Sequence, residues 1–163
     1  MSIFSPGKFA EKVRKGEPTF GATFYTGSTA AIEVAANWGL DFAFIDAEHT
    51  SMNIDSHMEK LVLASLLAGI APLVRVRGTN PWDIRKALEF GAAGIIVPQV
   101  GSAEEARAIV HAAKFPPLGR RGGDASCRSA GFAGPGFQWS RYMEQENANR
   151  LVIPMAESYE FFD

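Results

Sequence analysis

The chain has 163 residues, with 16 Lys and Arg against 18 Asp and Glu, a formal net charge of −2, 47% hydrophobic and 21% charged residues. Those values exclude a disordered chain, a collagen-like repeat and a coiled coil. The slight acidity argues against a nucleic-acid partner, which would select a basic face.

A single cysteine, Cys127, excludes a disulfide framework and a cysteine-built zinc site. No signal peptide is read at the start, and no apolar run approaches the ~18 residues of a membrane span. A cytoplasmic protein without a membrane partner is expected.

Met1–Gly16 reads as a short amphipathic lead-in. Four βα units then follow in succession. The first strand is expected at 20–25, and Ser28 caps a helix that buries Ile32, Ala35 and Ala36 before Gly39 ends it. A second strand at 42–46 leads through a polar loop to a helix from about Asn53, with Met58, Leu61 and Val62 at helical spacing. The third strand, 72–76, precedes Asn80-Pro81, a cap followed by proline at the first helical position. Ile84, Ala87 and Leu88 form that helix's stripe, and Gly91 stops it. The fourth strand, 94–98, runs into the capping box Ser102-Ala-Glu-Glu105, with Ala106, Ile109, Val110 and Ala113 behind it.

From Phe115 to about Gln138 a long glycine- and proline-rich loop interrupts the alternation. A helix near 139–149, a fifth strand at 151–155 and the start of another helix at 158–162 complete the reading. Continuous apolar strands such as Ile95-Ile96-Val97 imply a parallel sheet covered on both faces. A doubly wound sheet would accommodate five such strands, yet no Gly-x-Gly-x-x-Gly turn follows any of them. The preferred fold is α/β, a (β/α)8 TIM barrel of which residues 1–163 hold about the first five strands, as the N-terminal portion of a single domain.

In such a barrel, chemistry sits at the C-terminal strand ends. The polar residues there are Asp46, Glu48 and His49 after strand two, Arg75 and Arg77 after strand three, Gln99 after strand four and Glu157 after strand five. An arginine can hold a carboxylate or enolate oxygen, a histidine can move protons, and a glutamate can bind a hard cation. Arg75 and Arg77 are expected to point to opposite sides of the sheet, only one of them toward the lumen. Asp46 could fix the tautomer of a neighbouring histidine. His57 and His111 read as residues of solvated helix faces.

Phe44-Ile-Asp-Ala-Glu-His49 resembles the signature of the HpcH/HpaI aldolases, class II pyruvate aldolases that cleave 4-hydroxy-2-oxo acids. Leu73-Val-Arg-Val76 with Asn80-Pro81, Gly91–Val100, Ala103–Ala106, Phe115–Gly122 and Val152–Glu157 resemble the same family in the same order. The resemblance implies His49 as the catalytic histidine, Asp46 as its partner, and Arg75 as the arginine on the pyruvate oxygen. It also implies Glu157 as the first metal carboxylate, with Arg121 beside the active-site mouth and Gln99 as a further substrate contact. The second metal ligand would lie one βα unit beyond Asp163. Pro154-Met-Ala before Glu157 departs from the glutamine and aliphatic residue more usual in the family.

The expectation is a lyase using a divalent metal, Mg²⁺ or Mn²⁺ or else Co²⁺, on small 2-oxo acid and aldehyde substrates, assembled as a homo-oligomer. A related decarboxylase or carbon–carbon bond-forming synthase, or an inactive fragment, is the alternative. No lysine falls at a strand end, which disfavours a Schiff-base route.

Overall fold

The computed structural model describes residues 7–157 and Tyr159. Five strands, β1 (Gly21–Phe24), β2 (Phe42–Asp46), β3 (Ala71–Arg75), β4 (Gly94–Val97) and β5 (Leu151–Pro154), form one sheet in that spatial order. Every neighbouring pair is parallel. A doubly wound sheet reverses its strand order at a switch point, whereas this order follows the chain, as in a barrel wall. The helix expected over 158–162 lies outside the described residues, apart from Tyr159.

Helices α2 (Thr29–Asn37), α3 (Ser56–Ala68), α4 (Pro81–Glu89) and α5 (Ala103–Ala113) link successive strands. Their starts are chemical. The Ala31 N–H donates to Ser28 Oγ (3.3 Å), Trp82 N–H to Asn80 Oδ1 (2.9 Å) and Glu105 N–H to Ser102 Oγ (3.1 Å). Glu105 closes its box on the Gly101 N–H at 2.8 Å rather than on Ser102 itself. α3 begins three residues later than expected, because the Asn53 carboxamide first accepts the N–H groups of Asp55 and Ser56. Gly39 and Gly91 turn the chain at φ 80° and 103°, a region that suits glycine.

Strand alternation separates two cores. Ala43, Ile45, Val74, Val76, Ile95 and Val97 pack outward against Ile32, Met58, Leu61, Ile84, Leu88 and Ile109 of the helices. Phe42, Phe44, Leu73, Ile96, Leu151 and Ile153 pack together on the opposite, luminal face. The lead-in forms α1 (Gly7–Lys15), and its Phe9 meets the Phe42 ring at 5.5 Å near the strand starts, so one end of the lumen is stoppered. Val110, expected in the α5 stripe, is exposed. The core takes Ile109 and Ala113, and Val110 lies round the helix from them.

The long loop after α5 contains an irregular 3-10 segment, Arg128–Ala133, and ends in α6 (Trp139–Asn149). Arg128 ties it to Glu59 of α3 at 2.9 Å, and Tyr142 of α6 donates to or accepts from Ser129 Oγ at 2.7 Å.

A Cβ at Gly94 would lie 2.8 Å from Leu151 Cβ and 3.0 Å from its carbonyl oxygen. Gly94→Ala is therefore expected to cost about 1–3 kcal/mol through overpacking between β4 and β5. A urea midpoint equal to wild type would show that β5 yields freely.

Candidate active site

The β2–β3 register sets Asp46 beside Arg75 at the C-terminal ends of both strands. Asp46 shares the luminal side with Phe42 and Phe44, and Arg75 shares it with Leu73. The guanidinium grips the carboxylate at two points, Nε to Oδ1 at 2.9 Å and Nη2 to Oδ2 at 2.8 Å. It also stands over the Phe44 ring at 5.3 Å. Both charges are out of solvent, with Asp46 fully buried and Arg75 nearly so.

The chain then folds back over Asp46. Oδ1 accepts the N–H of Glu48 at 2.9 Å and of His49 at 3.4 Å, and Thr50 Oγ1 donates to the Asp46 carbonyl at 2.7 Å. Burial is the largest influence on the Asp46 carboxyl and works to raise it. Arg75 and the two N–H groups outweigh burial and hold it below the usual carboxylate range. Arg75 is pushed up, first by its hydrogen bonds to Asp46, with the charges of Asp46, Glu48 and Tyr25 adding against burial.

Glu48 occupies the centre of the cluster. Its Oε2 lies 3.3 Å from Arg75 Nη1 and 3.5 Å from His49 Nε2, and its Oε1 accepts from Gln99 Nε2 at 3.4 Å. Gln99 has φ +56°, a left-handed turn uncommon for a residue with a side chain. In that conformation its N–H reaches Glu157 Oε1 at 2.7 Å. His49, Arg75, Gln99 and Glu157, contributed by four successive strand ends, are thus linked through Glu48 and Gln99.

Two expectations change here. Asp46 touches His49 only through the backbone, because Arg75 has taken both carboxylate oxygens; the imidazole faces Glu48 instead. Arg121, expected at the mouth, has a side chain only 1% exposed and bonds Glu146 of α6 at 2.9 Å, one turn before β5 begins and so at the opposite end of the sheet. Arg77 leaves the lumen as expected, though for a different reason. Residues two apart on a strand share a face; β3 ends at Arg75, and Arg77 turns out to Asp83 at the start of α4 (2.9 and 3.0 Å).

Glu48 has no role in the sequence reading. Its position between Asp46 and His49 was the available signal, but only the fold-back over Asp46 aims it inward.

The HpcH/HpaI aldolase/citrate lyase model matches residues 22–160. The chain belongs to that family. Among individual HpcH/HpaI relatives, the 2-keto-3-deoxy-L-rhamnonate aldolase of Escherichia coli (strain K12) is 33% identical over 162 residues, covering 97% of this chain and 58% of that protein. The HpcH/HpaI aldolase of Desulfitobacterium hafniense DCB-2 superposes with a TM-score of 0.83 at 27% identity, over 92% of this chain and 57% of that one. The citrate synthase SbnG superposes with a TM-score of 0.80 at 32% identity, over 93% and 56%. The chain therefore spans under two thirds of the length of these relatives, and its five-stranded parallel sheet is part of their TIM-type barrel.

The family's expected metal can be tested against these residues. Glu157 is an exposed carboxylate at a strand end, which suits one hard oxygen ligand. Among the described residues, no group of three His, Cys, Asp or Glu is arranged to hold an ion. The donor set fits one ligand of a site and not the whole of it.

Asp46→Ala is expected to destabilise the chain by roughly 3–5 kcal/mol, because it takes the bidentate partner from a buried guanidinium and leaves it only the longer contact with Glu48. A carboxyl lowered on folding stabilises fully above its ordinary pKa of about 3.9 and loses that contribution as pH falls through the folded value. Urea unfolding from roughly pH 7 down to pH 2 should thus show a shallower acid limb for Asp46→Asn than for wild type. Parallel limbs would assign the acid sensitivity to other carboxylates.

Proposed function

We propose that this chain is the N-terminal part of a metal-dependent aldolase that cleaves or forms 4-hydroxy-2-oxo acids through a pyruvate enolate. The observation that carries this reading is the anchored Arg75, set beside the exposed His49 and Glu157 at adjoining strand ends in a member of an aldolase family.

Retro-aldol cleavage breaks the C3–C4 bond. The 4-hydroxyl loses a proton, C4 becomes the aldehyde carbonyl, and the electron pair passes to C3 and into the 2-oxo group. His49 is the base for the hydroxyl proton. Arg75 uses only two of its five donors on Asp46, so the others can hold the oxo-acid oxygens as negative charge develops. Because Asp46 fixes the guanidinium in advance, little reorganisation is needed when that charge appears. Gln99, whose carboxamide donates to Glu48 beside Arg75, is a substrate contact in this reading. Glu157 would hold Mg²⁺ or Mn²⁺, which when bound supplies a Lewis acid for the 2-oxo and carboxylate oxygens. Arg121 contributes through folding, since its side chain is paired inside the protein.

The likeness to the citrate synthase SbnG favours one alternative, a carbon–carbon bond-forming synthase on the same framework. A panel of 4-hydroxy-2-oxo acids, oxaloacetate, and pyruvate with aldehydes separates these reactions. The reading also includes a cytoplasmic homo-oligomer; among the described residues no helix is long and apolar enough to cross a membrane.

The assay is pyruvate release by a protein that carries the remaining barrel strands. His49→Ala is expected to lower turnover by about 10²–10⁴-fold with the fold retained. Chelator should abolish activity and Mn²⁺ restore it. Unchanged turnover in His49→Ala would leave His49 as no more than a solvated loop residue, and indifference to chelator would remove Glu157 from a metal site.

A further inference from the structure

β4 and β5 run in register from Gly94 beside Leu151 to Val97 beside Pro154. The ladder continues one step further, where the Met155 N–H donates to the Val97 carbonyl at 2.8 Å. In a regular parallel pair the Met155 carbonyl would next accept the N–H of Gln99, two residues beyond Val97. It accepts the N–H of Val100 instead, at 3.1 Å. The chain therefore carries one extra residue just past β4, a bulge of the kind that re-aims groups beside active sites. Gln99 is that residue, and its φ of +56° is the left-handed turn that takes it up. The bulge releases one backbone donor from the sheet, and this N–H goes to Glu157 Oε1 at 2.7 Å. Both residues are exposed, so water could satisfy the amide and the carboxylate separately. Burial does not enforce the bond; the turn that aims the N–H does.

We propose that Gln99 is the positioning residue for Glu157 and that it acts through its backbone. The left-handed turn presents N–H to one carboxylate oxygen, holds the side chain at the strand-end cluster, and leaves the second oxygen to a cation. A main-chain donor suits that task, because it has no rotamers to lose and is fixed by the ladder bonds on either side. The Gln99 carboxamide has its own contact, with Glu48 Oε1 at 3.4 Å. Backbone and side chain of one residue thus serve different neighbours. A positive φ costs free energy at a residue with a Cβ, and such strain persists where it presets a functional geometry. The aim of Glu157 stands on the bulge and the hydrogen bond; its use on a metal rests on the reading of Glu157 as a ligand.

The test uses a protein that carries the remaining barrel strands. Without metal, the Gln99 amide should exchange with D₂O about tenfold more slowly than an unbonded amide, as one hydrogen bond allows. Glu157→Ala, at an exposed position, should remove that protection. Affinity for Mn²⁺ is then read by EPR. Gln99→Gly keeps the N–H and adopts a positive φ readily, so it should bind Mn²⁺ as wild type does, while loss of the carboxamide shows in KM. Gln99→Val is strained there by its branched Cβ and should bind about 10–100-fold more weakly, the usual worth of a group that orients a metal ligand. Gln99→Ala should fall between them and keeps the comparison should Gln99→Val not fold. A Gln99 amide that exchanges at the unbonded rate, or that ignores Glu157→Ala, overturns the proposal. So does a Gln99→Gly protein that binds Mn²⁺ as weakly as Gln99→Val, since the carboxamide would then be the part that matters. If the amide is protected through Glu157 and the wild-type protein binds no Mn²⁺, the positioning stands and the metal reading of Glu157 fails.

Discussion

The buried ion pair between Asp46 and Arg75 is the constraint on which the rest of the site depends. Neither charge would be stable alone at the end of an apolar sheet, since removing one partner strands the other in a poorly solvated place. Their bidentate geometry follows from the β2–β3 register, which places the two residues side by side on the luminal face. Once paired, Asp46 still has capacity to accept, and the N–H groups of Glu48 and His49 fill it. The loop after β2 is therefore wound round a charge. That winding turns Glu48 inward and leaves His49 on the rim.

A second constraint comes from β4. Gln99 adopts a positive φ, an arrangement a side-chain-bearing residue keeps only when its surroundings require it. The same turn sends its N–H to Glu157 and its carboxamide toward Glu48. Strain at Gln99 and the buried pair at Asp46 together join four strand ends into one polar cluster. The cluster carries three carboxylates, Asp46, Glu48 and Glu157, against one permanently charged arginine.

The opposite end of the sheet is held by different means. Phe9 of α1 covers the lumen there, and the long loop is fastened by a buried group of charges in which Arg121 and Arg150 share Glu146. Lys114 adds its ammonium to the carbonyls of Asn147 and Arg150 at 2.8 and 2.6 Å, at the end of α6. Burial, the leading influence, lowers its pKa, with Arg121 and Arg150 adding against the charge of Glu146. These contacts place the start of β5, and with it the approach to Glu157. The polar cluster sits at one end of the sheet and the anchoring of its last strand at the other.

The sequence by itself determined the parallel α/β alternation and the first-half barrel reading, because caps, apolar stripes and glycine stops are local signals that repeat with each unit. It also brought His49, Asp46, Arg75, Gln99 and Glu157 forward as strand-end groups, since strand ends can be read along a chain. What it left open were pairings across the sheet. Whether Asp46 serves His49 or Arg75 depends on the β2–β3 register, and neighbours across strands are not written in spacing. Arg121 sits in a loop whose motif resembles an active-site segment, yet its burial is set by a helix 25 residues further on. Glu48 lay unassigned between two conspicuous residues, and only the fold-back over a buried charge gave it a direction. Local periodicity determines elements; the partners of a charged side chain are decided by which elements the tertiary structure brings within about 3–4 Å, where electrostatics in a dry interior becomes strong.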